Sequence, residues 1–162
     1  MTTKPNPVPD MYRTVTPTLT VKDASAAIDF YKRAFGAQEI RRSPSPDGTK
    51  IMHAEIKIGD SMIMLNDEFP EMGCLSPETL KGVASSLWLY LPDVDASYKK
   101  AVDSGAHPLM PPSDMFWGDR FGKVRDPFGH EWSLATHVED LSDKEITKRR
   151  DAFFAQAAGA RG

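Results

Sequence analysis

The sequence predicts an α+β domain of two βαβββ modules, forming a curled mixed sheet around a concave cleft, with a C-terminal helix added. Three observations carry that expectation. The order strand, helix, three strands can be read twice along the chain. Each helix opens on an aspartate cap (Asp23, Asp93) and closes on a Gly-Ala pair (Gly36-Ala37, Gly105-Ala106). The two closures are 69 residues apart (105 − 36 = 69), so the repeat has a definite period.

In the first module, Arg13 to Val21 (RTVTPTLTV) alternates and is rich in Thr and Val, which suits a strand. After Asp23, the apolar residues Ala24, Ala27, Ile28, Tyr31 and Phe35 recur at helical spacing. Pro46-Asp47-Gly48 is a hairpin signal between two extended runs, and Gly59-Asp60 turns the chain into Ser61 to Asn66. In the second module, Ser86 to Leu91 is an apolar strand, and the helix after Asp93 carries Val94, Tyr98, Ala101 and Val102 on one face. Three extended segments follow, around Pro108 to Met110, Phe121 to Arg125 and Glu131 to His137; the turn Asp126-Pro127-Phe128-Gly129 precedes the last. One helix covers only one face of each sheet, so the other face needs the sister module, a ligand or a partner.

Ser142-x-x-Glu145 is a capping box, with Leu141 and Ile146 placed as a hydrophobic staple. Phe153 and Phe154 extend the apolar stripe of a C-terminal helix that would pack on the domain or on a second subunit. The expected boundaries are a flexible tail over 1–10, a domain over 11–140, and a helix and tail over 141–162. Within the domain, module one spans 11–70 and module two 84–138.

Composition narrows the function classes. Net charge is −3 with both signs interspersed, which offers no basic field to a nucleic-acid backbone. The single cysteine, Cys74, excludes an intramolecular disulfide and a cysteine-based zinc site. No apolar run approaches ~20 residues and Met1 to Pro5 lacks a signal-peptide core, so a cytoplasmic protein without a membrane partner is expected. There is no glycine-rich phosphate loop, nucleotide fingerprint or GxSxG elbow.

The double repeat, with the phrases VKDASAAIDFYKRAFGA, KIMHAEIKIGDSMIMLND and FWGDRFGKVRDPFGHEWSLATH, resembles the vicinal-oxygen-chelate superfamily of glyoxalases, bleomycin-resistance proteins and dioxygenases, in its PhnB-like branch. The resemblance implies a homodimer or an intramolecular module pair, with one cleft per pair. In the enzymes of that superfamily the cleft holds a divalent metal on His, Glu or Gln from the first and last strands of each module. Carried over by strand ends and turns, those positions fall on Thr16, Met64, Ser86 and Ser133. Hydroxyls and a thioether are poor ligands for such an ion, so no metal and no other cofactor is expected.

Period-two alternation extends the cleft face to Thr18, Met62, Trp88 and Tyr90. Trp117 and Arg120 could join from a Gly-flanked loop, as a stacking lid and an anion contact. Such a cup suits a small planar organic molecule. Each residue also has a plainer role: Trp88 and Tyr90 as interior filling, the methionines as gap fillers, Arg120 in an ion pair with Asp119. His53 and Glu55 share a strand face and are candidate catalytic residues, with His137 at the end of the last strand. Three readings follow: a metal-free binding protein, a lyase, isomerase or dioxygenase-like enzyme centred on His53 and Glu55, or a scaffold with a vestigial cleft.

Overall fold

The computed structural model describes residues 4–160. Each repeat gives a four-stranded mixed sheet with a helix on one face. Module one comprises β1 (Thr18–Val21), α1 (Ala24–Phe35), β2 (Gln38–Pro44), β3 (Ile51–Ile58) and β4 (Ser61–Asp67), in sheet order β1-β4-β3-β2. A 3₁₀ turn (Pro70–Met72) and a one-turn helix α2 (Pro77–Leu80) lie in the connection. Module two comprises β5 (Ser86–Tyr90), α3 (Val94–Asp103), β6 (His107–Asp114), β7 (Asp119–Arg125) and β8 (Glu131–His137), in order β5-β8-β7-β6. In each module the first strand runs parallel to the last and the remaining pairings are antiparallel.

The caps form as the sequence implies. Asp23 accepts from the Ala26 N–H at 2.9 Å and Asp93 from the Ala96 N–H at 3.0 Å, and Gly36 takes a left-handed φ of 67°. Two strands differ from expectation. β1 begins at Thr18 rather than Arg13, because Pro17 has no N–H to give to a ladder. Thr16 is therefore irregular, its hydroxyl donating to the Arg13 carbonyl at 3.1 Å. β6 runs on to Asp114 through three prolines, which its outer-edge place and two register shifts accommodate.

The modules share one core. Ile28, Phe30 and Tyr31 of α1 pack with Leu19, Ile56 and Leu65 of their own sheet and with Trp132 and Leu134 of the other. The Tyr31 and Trp132 rings are 5.3 Å apart, and Phe30 meets Phe128 at 6.2 Å. Asp126 ties this junction. Its carboxylate accepts from the Tyr31 hydroxyl at 2.6 Å, Trp132 Nε1 at 2.9 Å and the N–H groups of Phe128 and His130 at 2.9 and 3.0 Å. β1 and β5 are each an edge strand of their own sheet, and His130, in the turn before β8, reaches β1 through Nε2 at 2.9 Å from the Thr20 carbonyl.

α4 (Asp143–Gly159) starts at the capping box, Ser142 accepting from the Glu145 N–H at 3.3 Å. None of its residues is buried. It is held by a two-bond Arg149–Glu139 pair at 2.7 and 2.9 Å and by Phe153 and Phe154 against Phe116. No helix among the described residues is long and apolar enough to cross a membrane.

Candidate functional site

On module two, alternation along β5 turns Ser86, Trp88 and Tyr90 away from the core, while Leu87 and Leu89 pack inward. Trp88 stays 44% exposed and Tyr90 65%. Trp88 lies flat on Phe121, with centroids 4.8 Å apart and planes at 11°, and Trp117 adds a third ring 6.5 Å from Trp88. This shelf is anchored from below by Asp119, which is 2% exposed. Its Oδ2 accepts from the Tyr90 hydroxyl at 3.1 Å and from Trp117 Nε1 at 2.9 Å; its Oδ1 pairs with His137 Nδ1 at 2.8 Å. The loop carrying Trp117 is fixed in turn. Gly118 has φ 97°, and its carbonyl accepts from the N–H groups of Val138 and Glu139, so close that a Cβ there would lie 2.3 Å from the Glu139 oxygen.

His137 also reaches Asp140 through Nε2 at 3.0 Å. Carboxylates only accept, so both bonds are made together only by the imidazolium. Its pKa is raised above the ordinary 6.5, first by Asp140 and then by Asp119. A raised folded-state pKa adds stability that is fully present below the ordinary histidine value and is lost as pH rises through the folded value. Replacing His137 by Gln should therefore lower the melting temperature most in mildly acidic buffer, with the gap to wild type closing as pH rises. A gap independent of pH would remove the imidazolium from this account.

On module one, His53 Nε2 and Arg41 Nη2 both meet Glu55 Oε1, at 3.0 and 2.6 Å, and the Tyr12 hydroxyl faces the same carboxylate. Burial pushes the Glu55 carboxyl up, but donors from His53, Tyr12 and Arg41 outweigh it and hold the pKa below its usual value. A cavity of about 490 Å³ opens beside this cluster, bounded by Tyr12, Thr16, Arg41, Glu55 and Met64. Pro7, Val8 and Pro9, expected in a loose tail, supply its wall. A smaller cavity of about 170 Å³ lies between Met62 and Trp88, and Arg13 and Thr16 line both.

A family profile described as the Glyoxalase/Bleomycin resistance protein/Dioxygenase superfamily matches residues 13–134. The chain belongs to that superfamily. An uncharacterized protein of Mycobacterium tuberculosis is 43% identical over 135 residues, covering 82% of this chain and 79% of the relative. Among solved structures, TioX from Micromonospora sp. ML1 is 26% identical with a TM-score of 0.59, covering 78% of this chain and 99% of its own. The PhnB protein from Bacillus cereus, described as a putative 3-demethylubiquinone-9 3-methyltransferase, shares the fold at 19% identity and a TM-score of 0.58, over 76% of this chain and 99% of its own.

The metal of the superfamily's enzymes does not fit the donors found here. Met64 faces Thr18 in the β1–β4 register and Ser133 faces Trp88 in the β5–β8 register. The Ser86 and Ser133 hydroxyls bond each other at 2.9 Å, and Thr16 is occupied by a backbone carbonyl. Neutral hydroxyls and a thioether cannot match imidazole and carboxylate for a divalent ion. Nor do the described residues hold any group of three His, Cys, Asp or Glu spaced to bind one.

The remaining candidates separate. His53 and Glu55 are together, and Thr16, Met62 and Trp88 meet at the smaller cavity, whereas Thr18 faces the gap between the sheets. Arg120 is a correction. It lies on the α3 side of β7, paired with Asp95 at 2.6 and 2.9 Å and Asp114 at 3.1 Å, because Asp119 and Phe121 take the shelf face on either side of it. Sequence reasoning missed Tyr12, Arg41, Asp119 and Phe121. For Phe121 a signal existed, since it lies two residues after Asp119 on one strand and so shares its face, with Arg120 opposite.

Proposed function

We propose that this superfamily member binds a small, planar organic molecule at the Trp88 shelf, without the metal its enzymatic relatives use. The observation that carries the reading is the Trp88–Phe121 stack, left open to solvent and clamped by Asp119 through Tyr90 and Trp117. Rigid aromatic area that needs no ordering on binding is what a flat ligand gains most from. Met62 adds an adaptable contact beside it.

A homodimer is part of the proposal, supported by the exposed aromatic rings of Phe153 and Phe154 on a C-terminal helix none of whose residues is buried. Sedimentation as a monomer would remove it. A cytoplasmic setting fits the single free thiol, Cys74. The enzyme reading around His53 and Glu55 has less support, because a carboxylate held low by three donors is a weak base. A vestigial scaffold has less still, given a cavity of about 490 Å³.

A thermal-shift screen of planar aromatic compounds tests the proposal. A ligand at roughly a hundred times its Kd should add about 2.7 kcal/mol of stability. The shift should survive a chelator. A shift that appears only with added divalent metal would overturn the metal-free reading.

A further inference from the structure

The Glu55 cavity carries an argument about what the ligand must look like, and it rests on the binding reading above. Three arginines spend three donors each within the chain. Arg42 makes three bonds to Glu39 and Ser25, Arg120 makes three to Asp95 and Asp114, and Arg149 makes three to Glu139 and Glu145. Arg41, like Arg125, is tethered more loosely, and of the two it is Arg41 that borders the cavity beside Glu55. It gives one nitrogen, Nη2, to one oxygen of Glu55, and its side chain remains 63% exposed while lining the cavity. The rest of its fork has no protein acceptor among the described residues.

Glu55 explains the arrangement. Its carboxylate is almost fully buried, is kept ionised by His53, Tyr12 and Arg41, and so works as an anchor that fixes the guanidinium at the cavity. A β2 irregularity between Glu39 and Arg41 brings Arg41 opposite Glu55 in register. The formal charges lining the cavity are Arg13 and Arg41 against Glu55, an excess of one positive charge. Apolar surface from Pro7, Val8, Pro9 and Met64 adjoins it. Arg13 and Thr16 continue directly into the slot against Trp88.

We propose that the Arg41 cavity is a carboxylate-binding site, and that the ligand is a monoanion joining a carboxylate to a flat apolar body. The free edge of a guanidinium matches a carboxylate with two parallel N–H donors, a geometry a neutral group does not reproduce. The neighbouring slot takes the apolar part.

Calorimetric titration of the full chain with naphthoate and with its uncharged counterpart naphthamide tests this. Wild type should bind naphthoate at least about tenfold more tightly, and added salt should shrink that preference. Arg41→Gln should erase the preference and leave naphthamide binding unchanged, while Arg41→Lys should keep part of it. Arg41 is exposed, and a circular dichroism spectrum matching wild type confirms that each variant is folded. Equal binding of the two compounds to wild type overturns the carboxylate assignment and leaves the planar-ligand reading standing. A preference that survives Arg41→Gln overturns the role of Arg41. If neither compound binds, the carboxylate assignment is overturned, and the thermal-shift screen decides the planar-ligand reading by itself.

Discussion

Replacing Asp126 by alanine is expected to cost about 3–5 kcal/mol of folding free energy, read as a lower urea midpoint at unchanged m-value. The carboxylate is buried and accepts four hydrogen bonds, two from side chains on different elements and two from its own turn. Alanine would leave the Tyr31 hydroxyl and Trp132 Nε1 as buried donors without partners, each costing roughly 1–3 kcal/mol. Burial, followed by Asp126 itself, holds the Tyr31 pKa well above its usual value, so Tyr31 is a firm donor. Tyr31→Phe should cost less than Asp126→Ala, because the carboxylate keeps three donors. A loss below about 1 kcal/mol for Asp126→Ala would mean that packing, not this junction, joins the modules.

The largest effect on binding is expected at Trp88. Trp88→Ala should weaken any planar ligand found by thermal shift by about 2–4 kcal/mol, which is roughly 30- to 1000-fold in Kd by titration. Folding stability should fall by much less, since the ring is 44% exposed and lies on the surface of Phe121. Asp119→Asn is the companion measurement. It keeps the shelf's atoms but weakens the anchoring of Tyr90 and Trp117, so it should give a smaller loss of affinity. Unchanged affinity in Trp88→Ala would move the ligand elsewhere.

The sequence disclosed the repeat through local chemistry. Asp23 and Asp93 cap their helices with their own side chains, and Gly36 ends α1 in the conformation a glycine favours. These devices act over a few residues, so they can be read from a few residues. Alternation likewise put Trp88 and Tyr90 on one face and would have put Arg120 opposite Asp119 had the strand been started at Asp119. What stayed hidden depends on distance or on irregularity. The Tyr31–Asp126 bond spans 95 residues, and nothing near Asp126 announces it. Arg41 meets Glu55 only through a register shift in β2 that no periodicity encodes. The early start expected for β1 failed at Pro17, whose missing donor was visible in the sequence but not weighed.

Because Tyr31 and Trp132 wall each other's interior, neither half has a complete inside of its own. Opening one half would wet the other, so the chain should melt as a single cooperative unit, with amide exchange slowed to similar depths in both. A duplicated architecture of this kind doubles the working surface without doubling the number of things that can unfold.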